Sequence, residues 1–452
     1  MAGVHRLRFL IMVDRLITYF RMSGLVSIAE LADFFKVSPS TMTRRLSLYI
    51  EEGKVVRLGL GKNTKYAYLR KIADIEQPVV VREVDENAKV SITGKLWVTH
   101  SGTILERDDS IIEYDDLPWY FSDLKPQGFI GRMIANNVSA KINVPAKPEQ
   151  WKSDDLLRYL VHFFYDSSGN FELYSKFSIA KEFNVNDEKT TVRLESYDKY
   201  VIDLARGANL GSSAGGEQPK LHSRFRNGNE CGISLVKYSP TININNPVAL
   251  RIKDLLVCEH IALSILGNYN GHAAKTELLI SEERAYLEVQ RFDRLVVNGN
   301  EGQVGMVSLE TAIAEFVGYV GDWVEAGTEL SREGLLSDED MKLLNTWLAY
   351  SRFIGNSDTH NGNVSLFLKD LKLTGLTPAY DILPMLYMPT KGDLPEPDIS
   401  VKKPKNIDEE SWLVGRNLGL AFWGEVKNEE RISVEFRKNA DKWISYINAM
   451  EH

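Results

Sequence analysis

An apolar pair, Phe353-Ile354, leads into Gly355-Asn356-Ser357-Asp358-Thr359-His360-Asn361-Gly362-Asn363-Val364, which sets a carboxylate and a carboxamide five residues apart on one polar loop. Phosphotransfer uses that pairing: an Asp takes the proton of the attacking hydroxyl, and an Asn further along helps hold a magnesium ion against the phosphates of ATP. Asp358 and Asn363 are the candidates for these roles. Asn, Asp and Gly also build ordinary turns, so the loop alone does not separate chemistry from connection. A second motif, Tyr380-Asp381-Ile382-Leu383-Pro384, puts Asp381 on an apolar strand end where a second metal ligand is needed. Together the motifs point to an ATP- and Mg2+-dependent phosphotransferase.

Such residues need elements to hold them. Gly211-Ser212-Ser213-Ala214-Gly215-Gly216-Glu217-Gln218-Pro219-Lys220 is a loop of small residues whose backbone N–H groups can approach phosphate oxygens, although a flexible connection has the same composition. Gly232 to Lys237 reads as a strand with Ile233, Leu235 and Lys237 on one face, the place for a lysine that grips the α and β phosphates. On the following helix, about 251–266, Glu259 falls within the apolar stripe of Ile252, Leu256, Leu263 and Leu266. A carboxylate on a buried face requires a cation, and Lys237 is the candidate. Tyr286 to Arg294 reads as a strand and charged turn able to offer backbone groups to an adenine ring, or else as a hairpin with a surface ion pair. A long amphipathic helix over 337–353 delivers the Asp358 loop. A β-containing front lobe and a helical rear lobe follow.

The front of the chain differs in charge. Residues 1–71 hold 13 Lys or Arg against 5 Asp or Glu, a surplus of +8 in a chain of net charge −8, which suits a polyanion-binding module on an acidic body. A helix over 6–22 precedes Ser27, which caps a second helix with Glu30 in the capping-box position. After a turn at Lys36-Val37, Ser38 caps a third, with Pro39 first and Met42, Leu46 and Ile50 inward. Arg44 and Arg45 are its candidate DNA contacts, and a β-hairpin with Lys62 at its tip completes a winged helix-turn-helix pattern. A basic docking module with no DNA role has the same pattern. From Ile72 to about Glu86, acidic residues and Pro78 read as a connector. Leu117 to Gly128 shows no chemistry of its own, and its aromatics read as core. Apolar runs fall well short of the roughly 20 residues that span a bilayer. Only Cys231 and Cys258 occur, which fits a reducing cytoplasm.

With loop, lysine, strand-turn and both acidic motifs in order, residues 90–440 resemble the HipA family of bacterial serine/threonine kinase toxins. The likeness rests on Ser213 to Lys220, Arg291-Phe292-Asp293-Arg294, Asp358 to Asn363, Tyr380 to Pro384, and Leu117-Pro118 through Gly128. It implies an α+β, two-lobed kinase-like fold, here fused behind the winged helix-turn-helix where the family's toxin ordinarily works with a separate helix-turn-helix antitoxin. The units expected are 1–71 (DNA-binding), 72–150 (amino-terminal subdomain), 151–300 (N-lobe) and 301–452 (C-lobe). It also implies Asp358 as base, Asn363 and Asp381 as magnesium ligands, and Lys237, Ser213, Gly215, Gly216, Gln290 and Phe292 around ATP. Ser213, with Ser212 adjacent, matches an inactivating autophosphorylation site. The partners implied are DNA, an antitoxin, and a translation protein such as an aminoacyl-tRNA synthetase as substrate. Two positions depart from the pattern: Gly362 stands where the family usually has Lys, and Gln290 where it usually has Glu. A regulator whose kinase fold only senses nucleotide is the alternative reading.

Overall fold

The computed structural model describes residues 15–108, 110–163, 167–174, 186–187, 190–207, 220–227, 230–243, 245–318, 321–390 and 392–450. Helix α1 (15–23), strand β1 (Val26–Ser27), helices α2 (Ile28–Phe34) and α3 (Pro39–Glu51), and strands β2 (Val55–Leu58) and β3 (Lys65–Tyr68) make the first unit. Its sheet order is β1-β3-β2. The capping box is formed, with Ser27 N donating to Glu30 Oε2 at 2.7 Å and Glu30 N to Ser27 Oγ at 3.2 Å. Met42 and Leu46 enter the core as expected, but Tyr49 joins them while Ile50 is exposed. At about 100° per residue, position i+7 lies roughly 20° from Met42 on the helix and position i+8 roughly 80°, so Tyr49 follows the stripe.

The β2–β3 ribbon has two buried faces. Val55 and Tyr66 pack on the helices, while Val56, Leu58 and Ala67 join Leu25 in a cluster with Ile104, Trp97 and Ile111 of the next unit. Arg70 ties the junction, its guanidinium donating to Asp154 at 2.6 and 2.7 Å and its N–H to Val98 O at 2.9 Å.

The next unit is an antiparallel sheet of β4 (Val79–Val84), β5 (Val90–Val98), β6 (Thr103–Arg107), β7 (Ser110–Tyr114) and β8 (Phe171–Tyr174), in the order β7-β6-β5-β4-β8, covered by α4 (Gly128–Ile142) and α5 (Ser153–His162). The connector expected up to Glu86 is therefore interrupted by β4, which lies inside the sheet with Val79, Val81 and Val84 buried. The charges read there as linker are cross-strand partners: Arg82 with Glu172 at 2.8 Å and Glu83 with Arg107 at 3.2 Å. Helix α5 and strand β8 share this core, so the unit runs on past residue 150. Val307 and Leu368, distant in sequence, are buried in it as well.

The N-lobe sheet has the order β12-β13-β11-β10-β9, built from β9 (Asn186–Asp187), β10 (Lys220–Asn227), β11 (Glu230–Tyr238), β12 (Thr276–Ile280) and β13 (Ala285–Gln290), with α6 (Thr190–Gly207) and α7 (Pro247–Asn270) against it. After a hairpin, β14 (Arg294–Val297) and β15 (Asn300–Gln303), the C-lobe contributes β16 (Met306–Ser308), α8 (Leu309–Phe316), α9 (Trp323–Arg332), α10 (Asp338–Ile354), β17 (Ser365–Lys369), β18 (Lys372–Leu376), α11 (Glu409–Asn428) and α12 (Val434–Ala449). Helix α11 crosses α10 closely because Gly415 and Gly419 meet it: a Cβ on Gly419 would lie 2.5 Å from that of Phe353. This is the β-containing front lobe and helical rear lobe read from the sequence. Among the described residues no helix is long and apolar enough to cross a membrane.

Candidate active site

The β10–β11 register sets Lys220 directly opposite Lys237, giving one sheet edge two ammonium groups. Lys237 Nζ donates to Glu259 Oε1 at 2.6 Å and to Asp381 Oδ1, and Lys220 Nζ lies 3.9 Å from Asp381 Oδ2. Glu259 comes from the buried stripe of α7, as its spacing predicts, and is fully enclosed. Asp381 has φ 54°, a left-handed conformation uncommon outside glycine. Burial opposes the charge on Lys237, but Asp381 and then Glu259 outweigh it and hold the ammonium above its ordinary range. Burial likewise opposes ionisation of Asp381, but Lys237 and Lys220 hold its carboxyl well below the usual range. For Glu259 burial prevails and raises the pKa, and its Oε2 has no hydrogen-bond partner among the described residues.

Helix α10 ends in a left-handed cap at Gly355, φ 77°, and releases the polar loop. Buried Asn356 accepts from Asp358 N at 3.0 Å, Asn363 Nδ2 donates to Asp358 O at 2.9 Å, and Trp323 Nε1 donates to His360 O at 2.9 Å. The loop backbone is thus fixed while the Asp358 side chain stays 46% exposed. His360 Nδ1 accepts from Gly362 N at 3.1 Å, which leaves the ring proton on Nε2, 3.7 Å from Asp358 Oδ1. Tyr380 OH donates to Gly362 O at 3.1 Å and shares a hydrogen bond with Ser365 Oγ at 2.8 Å, joining the two acidic motifs. A Cβ on Gly362 would sit 3.0 Å from the His360 ring and 3.3 Å from Glu310 Oε2, so a carboxylate lies beside the position where the family usually has Lys.

At the end of β13, Gln290 pairs with Ser234, and Phe292 lies 5.8 Å from the Tyr380 ring. The neighbouring charges are not a surface ion pair. Asp293 is buried, accepts from Arg291 Nε at 2.9 Å, Arg294 Nη1 at 3.0 Å and Gly169 N at 3.1 Å, and so pins the strand-turn to the segment between α5 and β8 of the middle unit.

Lys237, Gln290, Phe292 and Asp381 line a single cleft of about 390 Å³, with Gly362 of the polar loop in its wall and Asp123 through Gly128 closing one side. Asp358 and Asn363 are on the same loop as Gly362 but do not themselves line the cleft. Ser213, Gly215 and Gly216 lie outside the described residues, and Arg44 and Arg45 are remote, on α3. Lys220 as a second cation on Asp381, Tyr380 as a bridge and Asp123 as a wall were not legible, because each depends on strand register or on contacts between units. Among the described residues no group of three or more His, Cys, Asp or Glu could hold a metal ion. One carboxylate and one carboxamide suit Mg2+, which keeps waters and takes the remaining oxygens from bound phosphates.

Residues 212–450 match the HipA-like C-terminal domain, and residues 75–177 the YjjJ-like toxin middle domain. Toxin YjjJ of Escherichia coli (strain K12) is 32% identical over 441 residues, covering 95% of this chain and 96% of that protein. The chain belongs to the HipA-like toxin family. Its HipA-like fold is also that of HipA from Shewanella oneidensis MR-1, solved with HipB and its operator DNA, at TM-score 0.50 and 14% identity over 81% of this chain and 96% of that one. The HipA-like match spans every described element from β10 to α12, and thus both acidic motifs and Lys237.

Proposed function

We propose that this HipA-like chain is an ATP- and Mg2+-dependent serine/threonine protein kinase acting as a growth-inhibiting toxin. The observation carrying this reading is Lys237 held between Glu259 at 2.6 Å and Asp381, which draws β11, α7 and the second acidic motif together at the base of one cleft. When bound, ATP supplies the phosphoryl group and Mg2+ neutralises charge on its phosphates. Lys237 steadies the phosphates, Asn363 and Asp381 hold the metal, and Gln290 and Phe292 border the base. Asp358, solvent-facing on a fixed backbone, receives the proton of a substrate hydroxyl. By family resemblance Ser213, Gly215 and Gly216 belong to the ATP-binding set, with Ser213 the autophosphorylation site. The substrate class follows only from family resemblance, which points to translation proteins such as an aminoacyl-tRNA synthetase.

Residues 1–71 bind DNA in this proposal, through Arg44 and Arg45. The Shewanella HipA is seen with HipB and operator DNA, and by that likeness DNA and an antitoxin are partners here too. One observation favours the rival reading of a nucleotide-sensing regulator: Glu310 beside Gly362 puts negative charge where the family usually has a lysine.

Intact-mass analysis after incubation with ATP and Mg2+ tests the proposal. Wild-type protein gains about 80 Da per phosphate, whereas Asp358→Ala and Asp381→Ala proteins, still folded, gain none and do not arrest growth. Equal growth arrest by all three proteins would favour the regulator.

A further inference from the structure

Asp123 belongs to the 3-10 turn Trp119–Leu124 of the middle unit, yet its carboxylate accepts from three donors at the start of α8 in the C-lobe. Ser308 N donates to Oδ2 at 2.6 Å, and Ser308 Oγ and Thr311 Oγ1 donate to Oδ1 at 2.9 and 2.8 Å. Ser308 is at once the N-cap of α8, its Oγ accepting from Thr311 N at 3.0 Å, and the last residue of β16, where it pairs with Ser365 of β17. Ser365 Oγ meets Tyr380 OH at 2.8 Å, and that hydroxyl reaches Gly362 O at 3.1 Å. Leu309 N donates to Val364 O at 2.8 Å, directly after the polar loop. From Asp123 a continuous polar path therefore runs to the loop bearing Asp358 and Asn363, and to the residue before Asp381.

The apolar contacts beside this path do not set direction. Val307 and Leu368 are buried in the middle core, and Trp119 meets Phe316 edge-on with ring centroids 5.3 Å apart. Such packing fixes proximity and leaves rotation loosely determined, whereas three charge-assisted bonds to one helix turn fix orientation. Burial raises the Asp123 carboxyl above its ordinary range, while all three bonds favour the carboxylate.

We infer that Asp123 is a positioning residue, through which the middle unit orients α8 and β16 and thereby sets the geometry of the Asp358 loop and Asp381. The inference rests on the kinase reading for its catalytic consequence, but the mechanical coupling stands independently. Asn at this position keeps the size and one acceptor oxygen while losing charge and an acceptor.

Hydrogen exchange on full-length protein measures the coupling directly. In Asp123→Asn, amides over 356–366 and 378–383 exchange faster, those over 338–350 stay as in wild type, and Thr311→Val gives the same pattern more weakly. Phosphotransfer then falls about ten- to hundredfold in kcat, as expected for misplaced reacting groups. The inference is overturned if folded Asp123→Asn leaves exchange of the loop and kcat as in wild type. It is equally overturned if exchange rises uniformly across the C-lobe, the mark of lost stability alone. A wild-type protein that transfers no phosphate removes the kinase reading, and the exchange pattern still decides the coupling.

Discussion

Asp293 is a buried counter-charge to Arg291 and Arg294, its own pKa falling from 3.8 to about 2 because the two guanidiniums outweigh the cost of burial. Asp293→Asn takes the shared counter-charge from both guanidiniums, leaving Arg294 its ion pair with Glu301 at 3.0 Å, and destabilises by about 3–5 kcal/mol, measured as a shift in the denaturant midpoint. A lowered folded-state pKa contributes stability that is complete above the unfolded value and is lost as pH falls through about 2. The gap between wild type and Asp293→Asn therefore stays constant over roughly pH 5 to 8. Ser213 carries a different expectation. If Ser213 belongs to the ATP-binding set as proposed, a phosphate there adds about −1.5 to −2 charge that repels the nucleotide's own phosphates, so Ser213→Asp weakens ATP binding and Ser213→Ala leaves initial binding nearly unchanged. Titration with a fluorescent ATP analogue checks this, and equal affinity for Ser213→Asp and wild type rules out the loop switch.

Helix α3 offers Ser40, Thr41 and exposed Arg44 at its solvent side while Met42, Leu46 and Tyr49 hold it from behind. If it enters a major groove, affinity of the full-length chain for duplex DNA falls steeply with added salt as neutralised phosphates release counterions. Arg44→Ala combined with Arg45→Ala weakens binding and flattens that slope, read by fluorescence anisotropy at several salt concentrations. Absence of binding at low salt favours a docking role. The full chain is the right material because one face of the ribbon is buried against Ile104 and Ile111. Strand β4 shows how an element is misread: Val79, Val81 and Val84 carry the signal of a buried strand, but Arg82, Glu83 and Pro78 give it the look of a linker. Arg82 finds its partner Glu172 on neighbouring β8, and Glu83 finds Arg107 on β6, one strand beyond β5, neither of which any local window contains.

As a whole the molecule is four packed units in which the first covers the sheet of the second and the second walls the cleft of the last two. Removing residues 1–71 uncovers Trp97, Ile104 and Ile111, so the truncated chain binds more of an apolar dye and self-associates, seen by fluorescence and size-exclusion chromatography. A monomer with unchanged dye binding would show that this contact is dispensable. Local chemistry determined what was legible in advance. The caps at Ser27 and Ser38, the helix leading into the polar loop, the buried stripe containing Glu259, and the Asp358–Asn363 and Asp381 motifs all depend on residues close in sequence. The Lys237–Glu259 pair was legible too, since a carboxylate on a buried stripe demands a cation and few are near. Tertiary structure alone decided that Lys220 faces Asp381, that Tyr380 ties the two motifs, that Asp293 is buried, and that Asp123 reaches the C-lobe. Each of these contacts joins residues from about 18 to 185 positions apart, where strand register and the docking of separate cores choose the partner and periodicity carries no information.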